Sequence, residues 1–242
     1  NASSIFNLHL LKQAAFWDGR VEVVNEGFSK GQNKTDKTIR LRTPDSVKGL
    51  PDLNAGNDFI QAQARFPIIA IHEMFGHGRH KLDSNSQKRQ LVLNNLLKAD
   101  EISQSSPWLP LFQNAFEVNQ KNVETVITID RVTKALSHYQ KSLVLTTNPW
   151  FDYVAGNKSA ISEQAKKGAL LFFSTPKQGG LACNSCHSGT SFSDEKFYTI
   201  AAPQIGRGKD ASGNDHGRLL HTSIIADKYK FRTPMLLNVQ VT

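Results

Sequence analysis

Apolar residues recur at helical spacing between residues 123 and 143. Those lying three or four positions apart are Ile129, Val132, Leu136, Tyr139 and Leu143. A repeat of this kind forms an apolar stripe along one side of a helix, through which the helix packs. We therefore predict a single helix over 123–143, packed through this stripe.

Other helices are predicted from composition and capping signals. Residues 87–99 are strong helix formers, and the prolines at 107 and 110 favour the start of a helix over 107–117. Serines between 159 and 162 are candidate N-caps for a helix that runs to Phe173, with Glu163 in its first turn. Because no run of alternating strands is found, the predicted fold class is all-α.

Two segments rich in loop-forming residues interrupt this helical pattern. Residues 25–58 and 188–217 contain many glycine, asparagine and aspartate residues, which predicts long loops. A chain of 242 residues is long enough for two domains. The pattern favours a division near residues 145–158, and we assign one lobe to 1–150 and the other to 151–242.

Charge and hydropathy narrow the classes of partner. The chain has 29 Lys and Arg against 21 Asp and Glu, a formal net charge of +8, which suits an acidic electron-transfer partner. No basic helix or aromatic-lined groove stands out, so nucleic acid is not an expected partner. The longest apolar runs, such as 66–71, are too short to span a membrane. The opening residues carry no initiator Met or signal pattern, and we expect a processed, trimmed or incomplete chain.

The two cysteines form the chemical signature Cys183-Asn184-Ser185-Cys186-His187. Two thiols three positions apart can bond to the two vinyl groups of one porphyrin, and the histidine that follows can bind its iron, as in c-type haem attachment. A zinc site would require two more ligands at a similar spacing. A thioredoxin-like pair would follow a strand in a βαβ unit, and none is predicted. The motif therefore predicts covalent haem.

Several further phrases occur in a fixed order around this motif. They are Phe16-Trp17-Asp18-Gly19-Arg20, Phe66-Pro67 with Glu73-Met74, Phe151-Asp152 with Ala155 to Ala160, Lys167 to Phe172, Pro203 to Gly206, Asp215 with Gly217-Arg218, and Lys230 to Pro234. Together they resemble the bacterial di-haem cytochrome c peroxidases and their MauG-like relatives. The resemblance covers nearly the whole chain and implies two cytochrome c-like haem lobes with long loops.

The resemblance also implies the roles of the two lobes. Cys183, Cys186 and His187 match the high-potential, electron-transfer haem of the family. The peroxidatic haem has its own Cys-x-x-Cys-His upstream of the FWDGR phrase, and the second ligand of the high-potential haem follows a phrase that would lie beyond Thr242. We therefore expect the chain to be truncated at both ends, with two c-type haems in the full protein.

Two candidate catalytic residues follow from the same resemblance. Trp17 matches the tryptophan between the haems, where an indole can pass electrons; its alternative role is a buried core aromatic. Glu73 matches the glutamate of the peroxide pocket, where a carboxylate can act as acid and base; its alternative is a solvated loop residue. His72 and His77 flank Glu73 and are more consistent with surface or capping residues than with iron ligands.

Further ligand assignments rest on residues near the chain ends. Asn1 and Thr242 match positions that bind a calcium ion between the haems, and oxygen ligands suit calcium. Met235 follows His187 as the sixth haem ligand does in many c-type cytochromes, but in the family this position is not the ligand. Core packing is the expected role of Met235.

Three functions are consistent with the sequence. The first is a peroxidase that reduces hydrogen peroxide to water with electrons from a small cytochrome c or copper protein. The second is a MauG-like oxidase of a partner protein, and the third is a mono-haem electron carrier. The resemblance implies a periplasmic location and allows a homodimer.

Overall fold

A computed structural model describes residues 4–24, 39–47, 50–71, 73–76, 84–102, 108–205 and 213–239. This part of the chain is mainly helical, which confirms the predicted fold class. Its α-helices are α1 (Phe59–Ala64), α2 (Asn85–Ile102), α3 (Trp108–Phe116), α4 (Val123–Val126), α5 (Ile129–Ser142), α6 (Pro149–Val154), α7 (Glu163–Phe173) and α8 (Leu219–Thr222). No helix in these ranges is long and apolar enough to cross a membrane.

Short strands accompany the helices. They are β1 (Ala14–Ala15), β2 (Val21–Val23), β3 (Leu41–Arg42), β4 (Phe197–Tyr198) and β5 (Phe231–Arg232). β2 pairs antiparallel with β3, and β4 pairs antiparallel with β5, so that two strands form within the loops predicted over 25–58 and 188–217. Residues 25–38, 48–49 and 206–212 of these loops lie outside the described residues.

The helix predicted over 123–143 is two helices in the structure. The break falls at Ile127, which has extended backbone angles and is fully buried beside Val126. The Thr128 hydroxyl then accepts the Arg131 N–H at 3.3 Å, which caps the start of α5. Burial of Ile127 and a new N-cap together interrupt the continuous helix.

The apolar stripe predicted for α5 is packed only at its start, where Ile129 and Val132 lie against a cluster of buried apolar residues. Leu136 and Tyr139 are 38% and 58% exposed, whereas Thr133, Ser137 and Gln140 are buried. The small side chains allow α5 to pack closely on α1, and the Ser137 hydroxyl donates to an Asp58 carboxylate oxygen at 3.2 Å. Small hydroxyl residues that find partners can therefore be buried in preference to larger apolar ones.

The chain forms two compact units. One comprises Val21–Ser142, and the other comprises Ser3–Arg20 together with Leu143–Thr242. The sequence analysis placed residues 1–150 in one lobe, whereas here Ser3–Arg20 group with Leu143–Thr242. The Val21–Ser142 unit contains a core cluster formed by Leu93, Leu97, Phe112, Val126 and Ile127.

Candidate haem centre

The attachment motif follows α7 through a tight reversal of the chain. Ser162 caps the start of α7 by accepting the Ala165 N–H. Beyond its end, the Ala182 N–H donates to the Ser174 carbonyl at 2.8 Å, so the loop folds back on the helix terminus. A Cβ on Gly180 would lie 2.1 Å from the Ser174 carbonyl oxygen. Only glycine fits there, which explains the glycine just before the motif.

The motif itself holds its histidine in a defined orientation. Cys183–Ser185 form a 3-10 turn, and the His187 N–H donates to the Cys183 carbonyl at 2.9 Å. Both thiols are partly buried and free of disulfide bonds. His187 Nδ1 lies 3.0 Å from the Phe192 carbonyl oxygen. With Nδ1 protonated and donating to that carbonyl, Nε2 remains available as a metal ligand, the usual arrangement for a coordinating histidine.

A shallow apolar cavity of about 280 Å³, widely open to solvent, lies beside this histidine. Its lining includes Trp150, Gly168, Phe172, Phe173, Phe192 and Leu236. The Phe172 ring lies 6.5 Å from the His187 ring, so the cavity and the histidine are neighbours. Leu170 and Leu181, on either side of the reversal, are each 68% exposed. Two thiols, one oriented imidazole and an apolar aromatic wall fit a covalently attached porphyrin.

Backbone strain is concentrated in the same loop. Ala182, Phe192 and Glu195 adopt left-handed angles, with φ of +51°, +53° and +54°. Such angles are unfavourable for residues with a Cβ and persist where the surrounding contacts fix them. The loop that carries the motif is therefore held in one particular shape by its contacts.

Glu195 supplies several of those contacts. Its side chain is buried, and one carboxylate oxygen accepts backbone N–H groups of Lys12 at 3.0 Å and Gln13 at 2.8 Å. The Ala14 N–H lies 3.4 Å from the same oxygen. Glu195 thus fastens residues 12–14 to the loop that follows His187.

Arg232 makes a second connection to the N-terminal segment, through the two backbone carbonyl groups that flank the Trp17 side chain. Its backbone N–H donates to the Trp17 carbonyl at 2.7 Å, and its Nε donates to the Phe16 carbonyl at 3.2 Å. The Arg232 side chain is buried, and burial lowers the pKa of its guanidinium, with the charge of Glu195 acting in the opposite direction. Trp17 itself is 44% exposed, so it is not the buried core aromatic that its type usually is.

The rest of the FWDGR phrase forms a compact turn. Asp18 is fully buried and lies 3.0 Å from Arg20 Nε. His221 Nε2 lies 3.1 Å from the other Asp18 oxygen, off the line of a hydrogen bond. Gly19 has φ +68°, and a Cβ there would come within 2.4 Å of the Phe197 ring. Asp18 is therefore fixed by its burial and its ion pair with Arg20. Gly19 is fixed by the close approach of the Phe197 ring.

Glu73 lies in the Val21–Ser142 unit, on a turn after a 3-10 helix at Pro67–Ile69. Its N–H donates to the Ala70 carbonyl at 3.0 Å, and its side chain is exposed. Within the described residues, its carboxylate has no hydrogen-bond partner. Phe75, two positions later, is buried and anchors the turn. The carboxylate is thus accessible on an anchored turn.

The other residues singled out from the sequence are Asn1, His72, His77, Met235 and Thr242. Asn1, His72, His77 and Thr242 lie outside the described residues. Met235 is partly buried. No group of three or more His, Cys, Asp or Glu side chains able to hold a metal ion occurs in the described part of the chain.

The sequence analysis missed Glu195 and Arg232, whose partners lie about 180 to 216 positions away in the chain. Arg232 stands within the phrase Lys230 to Pro234, so the resemblance pointed to its segment but not to its role. Glu195 lay in a predicted loop without any motif. A buried carboxylate with only main-chain partners leaves no pattern in the local sequence.

The sequence of this chain is similar to that of a known protein family. The model of the family described as di-haem cytochrome c peroxidase matches residues 1–159, about two thirds of the chain. The chain belongs to the di-haem cytochrome c peroxidase family. This family consists of haem c oxidoreductases, which agrees with the attachment motif at Cys183 to His187.

Relatives within the di-haem cytochrome c peroxidase family carry two kinds of name. Methylamine utilization protein MauG of Methylorubrum extorquens is 33% identical over 76% of this chain and 43% of its own length. Cytochrome c551 peroxidase of Pseudomonas aeruginosa is 24% identical over 58% of this chain and 39% of its own length. The chain thus spans less than half the length of these relatives.

The fold is also found among solved structures. A crystal structure of a MauG-like protein associated with microbial copper homeostasis superposes with a TM-score of 0.54 at 20% identity. The match covers 76% of this chain and 49% of that protein. At this level of identity the likeness concerns the fold alone.

Proposed function

We propose that the chain is part of a di-haem peroxidase that reduces hydrogen peroxide to water. In this proposal, Cys183 and Cys186 carry the high-potential haem, His187 ligates its iron, and electrons enter there from a small cytochrome c or copper protein. The observation that carries the proposal is the His187 Nδ1 to Phe192 carbonyl distance of 3.0 Å beside two free thiols. That contact leaves Nε2 of His187 available to ligate iron, and the two free thiols beside it suit covalent attachment of the porphyrin.

Trp17 is the proposed relay from this haem to the peroxidatic one. Its backbone is fixed by Arg232, and its indole is accessible rather than enclosed. A fixed position suits electron transfer because the rate depends steeply on distance, and accessibility allows a second group to approach the ring. The high-potential haem is thereby assigned to the unit of Ser3–Arg20 and Leu143–Thr242.

Glu73 is the proposed acid–base residue of the peroxide site, in the unit of Val21–Ser142. Reduction of peroxide needs a proton moved from the oxygen that stays to the oxygen that leaves, and an accessible carboxylate can do this. Bound haem would supply the iron at which the oxygen–oxygen bond is broken. The carboxylate of Glu73 would accept and return the proton.

Further assignments belong to the same proposal. The full protein would hold two c-type haems, with the peroxidatic Cys-x-x-Cys-His outside this chain. Asn1 and Thr242 would contribute oxygen ligands to a bound calcium ion. The family resemblance favours the periplasm and is compatible with a homodimer.

A second candidate function is oxidation of a partner protein. It is favoured by the 33% identity to methylamine utilization protein MauG, a relative whose name does not denote a peroxidase. The two functions differ in their electron source, because a peroxidase consumes a reduced donor whereas a protein oxidase takes electrons from its partner.

The test uses the full-length protein, with haem quantified per polypeptide. Peroxide-dependent oxidation of a reduced small cytochrome c is measured for wild type, Glu73→Gln and Glu124→Gln. Glu124 is an exposed glutamate of the same unit and serves as the matched control. We expect Glu73→Gln to lower turnover by about 100- to 10,000-fold, the usual contribution of a general acid–base group, with both haems retained.

The outcomes separate the candidates. Unchanged turnover in Glu73→Gln would remove this residue from the mechanism. A protein with two haems that does not oxidise the donor would refute the peroxidase and favour the partner-protein oxidase. A single haem per full-length polypeptide would favour the mono-haem electron carrier.

A further inference from the structure

Tyr198 lies on β4, close to the haem-attachment motif. Its hydroxyl donates to an Asp194 carboxylate oxygen at 2.7 Å. The Asp194 backbone N–H donates in turn to the Cys186 carbonyl at 2.9 Å. Two consecutive hydrogen bonds therefore connect the phenol to the cysteine that carries the haem in the proposed function.

The position of the Asp194 carboxylate is fixed independently of Tyr198. The Lys196 N–H donates to its second oxygen at 3.0 Å. β4 pairs with β5 so that Tyr198 lies opposite Phe231, which fixes the strand that carries the phenol. Donor and acceptor are thus each held by the backbone, and the 2.7 Å contact does not depend on the flexible end of a long side chain.

Tyr198 and Asp194 form a pair in which a neutral phenol donates a hydrogen bond to an ionised carboxylate. The hydrogen bond to Asp194 raises the pKa of Tyr198 to about 12, with further contributions from burial, the Asp194 charge and the nearby Cys186 side chain. Burial alone would raise the pKa of Asp194, but hydrogen bonds led by that from Tyr198 outweigh it and lower the pKa. At neutral pH the phenol keeps its proton and the carboxylate is ready to accept one.

This arrangement favours loss of an electron from the phenol. A phenol that loses an electron while keeping its proton becomes a strongly acidic cation, which is unfavourable at neutral pH. A carboxylate already hydrogen-bonded to the hydroxyl can take the proton as the electron leaves, so no such cation has to form. The hydrogen bond from the Asp194 N–H to the Cys186 carbonyl places this pair next to the residue that carries the porphyrin in the proposed function.

We propose that Tyr198 is a redox-active residue, which gives one electron to the haem group attached at Cys186 after peroxide has oxidised the protein. Its phenolic O–H bond breaks, the proton passes to the Asp194 carboxylate, and a neutral tyrosyl radical remains. One electron from the donor protein, with return of that proton, restores the phenol. This inference rests on the proposed peroxidase, which supplies the oxidant.

The other tyrosines offer matched comparisons. Tyr153 has the ammonium groups of Lys158 and Lys166 within 5.0 and 5.7 Å of its ring, and these disfavour loss of an electron. Tyr229 packs against the His216 ring, and Tyr139 lies on exposed α5 surface in the other unit. Among the described residues, Tyr198 is the only tyrosine whose hydroxyl donates to a carboxylate.

The experiment treats the full-length two-haem protein with hydrogen peroxide in the absence of donor. Electron paramagnetic resonance of rapidly frozen samples, with ring-deuterated tyrosine, identifies a tyrosyl radical. We expect the radical in wild type and in Tyr153→Phe, and its loss in Tyr198→Phe. Asp194→Asn should lower its yield by about 100-fold through loss of the proton acceptor. Haem content and absorption spectrum should remain those of wild type in Tyr198→Phe.

A tyrosyl radical undiminished in Tyr198→Phe would overturn the inference, as would its absence in wild type that turns over peroxide with donor. Failure of the peroxidase itself is distinguished with a photogenerated one-electron oxidant in place of peroxide. A radical at Tyr198 under those conditions, lost in Tyr198→Phe, would support the redox role of the residue even without peroxide chemistry. No radical with either oxidant would refute it.

Discussion

Replacement of Glu195 by alanine tests whether this single carboxylate fastens the N-terminal segment to the haem-attachment loop. Glu195 is buried and accepts N–H groups from three consecutive residues, at 2.8 to 3.4 Å. Those residues, Lys12 to Ala14, lead directly to Trp17. The substitution removes the acceptor and leaves the backbone path to Trp17 without this support.

The expected cost follows from the exposure of the donors. Hydrogen bonds to charged groups contribute about 1.5–3 kcal/mol each, and a buried group left without a partner costs about 1–3 kcal/mol. Lys12 and Gln13 are exposed, so their N–H groups can bond to water, whereas Ala14 is fully buried. We therefore expect Glu195→Ala to lower the free energy of unfolding by about 3–5 kcal/mol. Glu195→Gln keeps one acceptor oxygen and should cost about half as much.

The assay is urea unfolding of the full-length holoprotein, followed by haem absorbance, together with hydrogen exchange of the amides of residues 12–14. Glu163→Ala is the matched control, because the Glu163 side chain is 82% exposed. A surface change of this kind should shift the free energy of unfolding by less than about 1 kcal/mol. Equal stabilities of Glu195→Ala and Glu163→Ala, with amides 12–14 still protected, would refute the reasoning.

Two further substitutions test other parts of the chain. Gly180→Ala places a Cβ 2.1 Å from the Ser174 carbonyl, so we expect a loss of about 2–4 kcal/mol in stability and less haem per polypeptide; haem content equal to wild type would contradict this. Burial alone would raise the pKa of the Asp58 carboxyl, but bonds led by that from Lys141 lower it below 3.8. This stabilisation is present above pH 3.8 and is lost as pH falls through the lowered pKa. Lys141→Met should therefore cost about 0.5–1 kcal/mol at pH 7, since both side chains are partly exposed, and less at pH 3, as measured by urea unfolding; a cost that does not shrink at low pH would contradict this.

Local sequence accounts for a large part of the fold. Caps and helix formers lie next to the helices they define, so α2 and α7 end within a few residues of their predicted ends. The attachment motif is equally local, because five consecutive residues contain both thiols and the imidazole. The order of the short sequence phrases along the chain indicated the di-haem cytochrome c peroxidase family, and the match to the family model confirms that assignment.

The tertiary structure alone decided which groups meet. The apolar stripe of α5 predicted only part of its packing, because Thr133 and Ser137 are buried as well. Thr133 accepts a hydrogen bond from the Gln61 amide of α1 at 3.5 Å, and Ser137 donates to Asp58 at the start of α1. The sequence could not show that Glu195 and Arg232 hold the segment leading to Trp17. Helices and short motifs are determined by neighbours in the chain, so the sequence determined them. Partners some 180 positions apart in the chain are brought together only when the backbone folds. The surroundings of Trp17 therefore depend on the tertiary structure.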